Sequence, residues 1–345
     1  MLRSFLRYLL LFSILLAATW QSIAREYQLE FPRAPGPRFD NRVRRLYINR
    51  LAEEQPEMVM LGDSTLLDGV DPEKLSALTG MEISSFDVPG SASAYWYLVL
   101  KNNIVESEHR PKYVMILFRD TILTAPGYRV HGSYFVQLDE FARRNEPVLL
   151  ERAYMGLMNP LERFLERYLP LYAARVQIRR DADALIRYSL TAWLGCDRAC
   201  NDKSMYEIFT SANLEPGQLQ NAIAAAEGYL YTRRQLDFDR QIDRSFLPEM
   251  IRLAQENDTE LVLVRLKTLI TGEQDARAVE RYIGDLSDYL AGENVQFLDF
   301  GQDPRLMASY YKDSLHLTQE GEARFTEILA EGLKDEIVLD KGAGK

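Results

Sequence analysis

The chain has 345 residues, 47% of them hydrophobic and 27% charged, which is too apolar for a disordered protein and long enough for one large domain. Its formal net charge of −10 argues against a nucleic-acid binder, because phosphate contacts need basic patches. With only three histidines and two cysteines, few residues are available for imidazole or thiol chemistry.

The amino-terminal segment carries Arg3 and Arg7, and residues 8–18 behind them are nearly all apolar. The positive-inside rule keeps the arginines cytoplasmic and sends the following chain outward. Residues 8–24 reach the short limit for crossing ~30 Å of hydrocarbon. Trp20 suits an interfacial anchor, while Ser22-Ile23-Ala24 also fits a small-x-small cleavage site. Residues 1–24 read as an uncleaved signal anchor, with a cleaved signal as the alternative, and the chain is exported either way. Residues 25–57, with a proline-rich stretch at 31–38 and the basic Arg42, Arg44 and Arg45, read as a juxtamembrane connector with a solvated basic face.

Short apolar runs then alternate with helical patterns. Strands are expected at 58–61, 82–87, 112–118, 260–266 and 295–299, the kind of run a parallel sheet buries on both faces. Helices are expected at 92–105, 246–256, 275–290 and 318–333. This alternation predicts an α/β fold over 58–335, a three-layer sandwich around a central parallel sheet with right-handed crossovers. A helical insertion at about 121–244 interrupts it, with amphipathic runs at 147–154, 161–169 and 182–194. Pro147 suits a first helical position, and Pro170 ends or kinks the run before it. Leu161, Phe164, Leu165, Tyr168 and Leu169 form a helical apolar stripe, read as packing on the core or on a sister helix, with a lid over Ser64 or a docking face for a membrane partner as the alternative. The insertion leaves the sheet directly after the third strand, where it would shape a substrate cleft.

Two segments carry chemistry. Val59-Met60-Leu61-Gly62-Asp63-Ser64 runs a strand straight into a serine, and Asp313-Ser314-Leu315-His316 sets an aspartate three residues before a histidine and a helix start. Together they supply a nucleophile, a base and an orienting carboxylate for acyl transfer: Ser64, His316 and Asp313. Ser64 would also suit a helix N-cap, and the same geometry offers backbone N–H groups to an oxyanion. Asp63 reads as structural within the turn. His109 lies in a polar turn, and His131 follows a Pro-Gly turn as a surface or near-site loop residue, which leaves His316 as the base. Cys196 and Cys200 read as a local disulfide in an oxidising compartment, since no further cysteine or nearby histidine completes a metal set. Two aromatic-rich pieces, Tyr95-Trp96-Tyr97 and residues 128–134, suit either core packing or sugar stacking. No nucleotide loop or metal constellation is evident, and no cofactor or metal is expected.

Gly-Asp-Ser early and Asp-x-x-His late resemble the SGNH (GDSL) esterases and acyltransferases, over roughly residues 58–329. Gly69-Val70-Asp71-Pro72 resembles the Gly-x-Asp-Pro stretch of SGNH proteins that serve envelope acyl transfer, such as the D-alanine transfer protein and the alginate O-acetyltransferases. The resemblance implies an oxyanion hole from the N–H groups of Ser64 and Gly90, with an asparagine after the third strand. Here that strand ends in Arg119-Asp120-Thr121, with no asparagine. Arg119 then either supplies a charged donor in its place or forms a local pair with Asp120. The family context implies an exported O-acyltransferase in the inner membrane with its catalytic domain periplasmic, acting on a polysaccharide acceptor beside a membrane-bound O-acyltransferase. A plain periplasmic esterase and a non-catalytic partner of the same fold are the alternatives.

Overall fold

The computed structural model describes residues 2–39, 43–193, 195–209, 227–269 and 273–343. Five parallel strands form one sheet: β1 (Met58–Gly62), β2 (Ile83–Asp87), β3 (Tyr113–Phe118), β4 (Glu260–Arg265) and β5 (Gln296–Asp299), in the order β2-β1-β3-β4-β5. Each falls within a residue or two of its expected place. β1 and β3 are buried along their whole length, and alternate side chains serve opposite faces. Val59, Leu61, Val114 and Ile116 enter one core with helices Ser93–Val99, Leu247–Gln255 and Glu273–Gly292. Met58, Met60, Met115 and Leu117 enter the other with helices Pro72–Thr79 and Gln319–Ala343. The result is the α/β three-layer sandwich that the alternation predicts. The strand order reverses direction between β1 and β3, and ligands of such sheets bind at the carboxyl ends beside that switch point.

Local chemistry accounts for the helix boundaries. Asp71 caps Pro72–Thr79 by accepting from the Lys74 N–H, Pro72 occupies the first turn, and Gly80 closes it at φ 74°. The expected run at 92–105 is α-helical to Val99 and continues as a π turn through Ile104. Asn159 and Glu162 form a capping box at the start of Pro160–Tyr168, and Leu169 is extended before Pro170, as a residue preceding proline prefers.

The chain divides into two compact units, 1–37 with 157–219 and 38–156 with 220–345. The second unit holds the sheet. It also holds most of the stretch expected as a connector: helix Leu46–Glu54 buries Tyr47 and Leu51, and Tyr47 stacks on Phe86 at 4.2 Å. Burial of that aromatic makes the segment part of the core, while Arg44 pairs with Glu140 at 2.9 Å near the surface. Arg42 lies outside the described residues, as do 210–226 of the insertion and Leu194.

The first unit contains helix Leu2–Glu26 and the helices Pro160–Tyr168, Arg175–Trp193 and Arg198–Phe209. Among the described residues one helix is long and apolar enough to cross a membrane, at Phe5–Glu26 with a mean hydropathy of 1.4. Arg33 pairs with Glu166 and donates its backbone N–H to the Arg167 carbonyl, while Tyr27 donates to Asp181. Cys196 and Cys200 are joined in a disulfide. The stripe expected to pack does so only in part: Leu161 is 64% and Phe164 58% exposed, while Leu165 and Leu169 are half-buried. Amphipathic spacing gives a helix an apolar face but not a partner for it.

Candidate active site

β1 ends at Gly62, where a Cβ would stand 2.5 Å from that of Leu66, so only glycine lets the following turn fold back so tightly. Asp63 caps the short helix Ser64–Leu67, accepting from the Thr65 N–H at 2.9 Å and the Thr65 hydroxyl at 2.7 Å. Ser64 thus sits at a strand-to-helix corner on the carboxyl edge of the sheet.

His316 reaches this corner on a loop tied at several points. Tyr311 and Leu317 form an antiparallel bridge, Lys312 donates its N–H to the His316 carbonyl, and Leu269 donates to the Ser314 carbonyl. His316 Nε2 stands 2.8 Å from Ser64 Oγ, and its Nδ1 stands 2.8 Å from Asp313 Oδ2. Asp313 also accepts from the backbone N–H groups of Leu315 and His316, each at 2.8 Å. Burial alone would raise the Asp313 carboxyl. These N–H donors and the imidazole outweigh it and hold the group below the ordinary aspartate range. The geometry therefore brings Ser64, His316 and Asp313 into one hydrogen-bonded chain.

Gly90 stands at φ 81°, in the left-handed region that favours glycine, and a Cβ there would lie 2.8 Å from the Tyr134 ring. Its turn is fastened to the nucleophile corner. The Gly62 carbonyl accepts from the Val88 N–H at 3.1 Å and from the Ser91 hydroxyl at 2.9 Å. Trp96 Nε1 in turn donates to Ser91 Oγ at 3.0 Å. The backbone N–H groups of Ser64 and Gly90 have no hydrogen-bond partner among the described residues, the condition for donors kept for a developing charge.

Arg119 differs from both sequence expectations. Its side chain is 1% exposed, with one terminal nitrogen 3.4 Å from Asp63 Oδ2 and the other bound to Glu227. With 1% of the side chain exposed and both terminal nitrogens on buried carboxylates, this guanidinium is shut away from any ligand that reaches the site from solvent. Nor does it pair with its neighbour. Asp120, at φ 44°, turns away to accept from the hydroxyls of Tyr231 at 2.5 Å and Thr268 at 3.1 Å, with Arg265 at 3.6 Å. Arg119 instead holds Asp63, which burial would raise but which Arg119, Thr65 and Arg129 keep ionised below its ordinary range.

Glu227 and Arg129 were not identified from the sequence. Glu227 Oε1 accepts from the Tyr128 hydroxyl at 2.6 Å and from Arg129 at 3.0 Å. Arg129 also approaches Asp63 Oδ2 at 3.5 Å. Glu227 lies 98 residues beyond Arg129, so no local spacing marks the pair. Of the other histidines, His131 packs edge-on against Tyr154 at 5.4 Å, and the His109 N–H donates to Ser107 Oγ. Tyr95, Trp96 and Tyr97 are buried as core.

No protein-family model and no curated protein matches the sequence. Among solved structures, the chain is similar to a GDSL-like lipase from Bacteroides thetaiotaomicron, at 11% identity over 84% of this chain and 97% of that one, with a TM-score of 0.38. It is similar to the same degree, 11% identity and a TM-score of 0.38, to an acetylxylan esterase from Geobacillus stearothermophilus, over 81% of this chain and 93% of that one. An acetyl xylan esterase from Butyrivibrio proteoclasticus is similar at 8% identity over 81% of this chain and 64% of that one, with a TM-score of 0.29.

Proposed function

We propose that this chain is an exported, membrane-anchored serine O-acyltransferase of the SGNH type that acts on an envelope or secreted polysaccharide. The observation that carries the reading is the chain Ser64 Oγ to His316 Nε2 to Asp313, with unengaged N–H groups at Ser64 and Gly90 beside it. In this reading Ser64 Oγ attacks the acyl carbonyl while His316 Nε2 takes its proton. Asp313 fixes the tautomer by accepting from Nδ1–H. The carbonyl electron pair moves onto oxygen and meets the Ser64 and Gly90 donors. Collapse expels the donor alcohol, protonated by His316, and leaves acyl-Ser64. An acceptor hydroxyl, deprotonated by His316, then attacks the acyl-enzyme and restores the serine.

Three observations support the membrane and transferase parts of this reading. They are the apolar helix at the start of the chain, the disulfide suited to an oxidising compartment, and the Gly-x-Asp-Pro stretch shared with envelope acyltransferases. A membrane-bound O-acyltransferase as acyl supplier belongs to the same proposal.

The experiment is turnover of an acetyl ester by the full chain in detergent, with and without an added glycan acceptor. Acetyl appearing on glycan hydroxyls, and lost in Ser64→Ala, is the expected result. Release of free acetate alone at any acceptor concentration identifies an esterase. Full activity in Ser64→Ala removes the serine reading altogether.

A further inference from the structure

Arg119 and Arg129 are the two arginines that pair with both Asp63 and Glu227 among the described residues, and Arg129 is the more open of them. Its side chain is 15% exposed, whereas that of Arg119 is 1%. One terminal nitrogen faces Asp63 Oδ2 at 3.5 Å and the other Glu227 Oε1 at 3.0 Å. A guanidinium has five N–H bonds, so its remaining donors have no partner among the described residues.

Two contacts locate the group. Asp63 precedes Ser64 in the chain. The Arg129 guanidinium carbon also stands 5.5 Å from the centre of the Tyr134 ring, and that ring lies against Gly90, where a Cβ would be 2.8 Å from it. The guanidinium therefore touches both the residue before Ser64 and the ring that lies against Gly90. Tyr128, at 5.0 Å on its other contact, flanks it.

The backbone is bent to put it there. Arg129 stands at φ 54°, a region that a bulky L-residue enters at a cost and holds only when its surroundings over-determine it. Charge supports the same placement. Asp63 and Glu227 balance Arg119 and Arg129, so the cluster is neutral at rest and one further negative charge at its open side is not met by net repulsion.

We propose that Arg129 is a side-chain donor of the oxyanion hole, acting beside the N–H groups of Ser64 and Gly90. The inference rests on the reading of Ser64 as nucleophile. As the Ser64 Oγ–carbon bond forms and the proton passes to His316, the carbonyl π pair becomes an oxygen lone pair. The resulting O⁻ accepts from the N–H groups of Ser64 and Gly90 and from an outward N–H of Arg129. A charge-assisted donor is stronger than a neutral amide, and its limited exposure reduces solvent screening. The two carboxylates fix the planar fork before substrate arrives, so little reorganisation accompanies the reaction.

The test compares the full chain with Ser64→Ala, Arg129→Gly and Arg129→Lys on an acetyl ester, with Tm measured for each. Glycine is the substitution of choice because it adopts φ 54° without strain. Arg129→Gly is expected to fold, to lose about 10²-fold in kcat and to change KM by less than roughly threefold. Methylguanidinium at millimolar concentration should restore turnover saturably, which a purely structural role would not allow. Wild-type kcat in folded Arg129→Gly, or a loss that methylguanidinium leaves untouched, would overturn the proposal. If Arg129→Gly does not fold, Arg129→Lys keeps the charge and carries the test. Its kcat should drop at least tenfold, since a point charge cannot serve both carboxylates and the oxyanion at once, and full turnover overturns the proposal. Failure of the nucleophile reading is separable, because Ser64→Ala would then remain active.

Discussion

Asp63 and Arg119 carry opposite charges out of water directly beneath the nucleophile, and each depends on the other. Arg119→Ala leaves Asp63 and Glu227 buried with one cation fewer, and removing one partner of a buried pair costs ~3–5 kcal/mol. That variant should lower the denaturant midpoint sharply, and an unchanged midpoint would contradict the clamp. The sign of the pH dependence follows from the lowered Asp63 carboxyl. A depressed carboxylate contributes stability that is present above its unfolded pKa of about 3.9 and lost as pH falls through its folded value. Asp63→Asn should therefore be less stable than wild type at neutral pH, with the gap closing below about pH 4. A gap that stays constant from pH 7 to pH 3 would contradict this. Ser64, Asp313 and His316 were legible in the sequence because each lies in a short motif whose order and flanking elements assign its role. Arg129 and Glu227 were not, because their relation exists only across a fold that brings residues 98 apart into contact. Arg119 was visible but misplaced, since nothing in Phe118-Arg119-Asp120 tells which way a buried guanidinium points.

At the scale of elements, the site is two corners fastened together. The β1 corner carries Ser64, and the β2 corner carries Gly90, tied back through the Gly62 carbonyl. Lys312 pairs with Asp68 at 3.0 Å and so links the loop of His316 to the segment after the nucleophile helix. Gly90→Ala tests the second corner. Alanine at φ 81° costs ~1–2 kcal/mol in backbone conformation, and its methyl group must displace the Tyr134 ring. Lower Tm and lower kcat together are expected, and a variant equal to wild type in both would remove Gly90 from the site. The five strands were legible because a buried parallel strand is a short apolar run bounded by turns, as at β1 and β3. The role of helix Leu46–Glu54 was less so, since its buried Tyr47 and Leu51 follow a basic, proline-rich stretch that reads as solvated. Pro160–Tyr168 shows the limit of periodicity: the spacing defined the helix and its apolar face, yet Leu161 and Phe164 remain exposed.

At the scale of the whole molecule, the chain pairs an α/β unit that holds every candidate site residue with a helical unit that includes the apolar helix. The full chain should sediment with membranes and stay there in high salt, because burial of an apolar helix in lipid is not screened as surface charge is. A reporter fused after Lys345 should be active only outside the cytoplasm, as the arginines at the amino terminus require. Release into the soluble fraction as a shortened chain would replace the anchor with a cleaved signal. Activity of the reporter inside the cell would overturn export itself.

Every step of the proposed mechanism passes through acyl-Ser64, and mass mapping of the trapped enzyme reads that species. The full chain is mixed with an activated acetyl ester, quenched in acid and digested. An acetyl adduct is expected on the peptide carrying Ser64, lost in Ser64→Ala and strongly reduced in His316→Ala. Asp313→Ala should retain more adduct than either, because that residue orients the base and does not attack. An adduct on another residue, or turnover that persists in Ser64→Ala with no adduct at this position, would contradict the account.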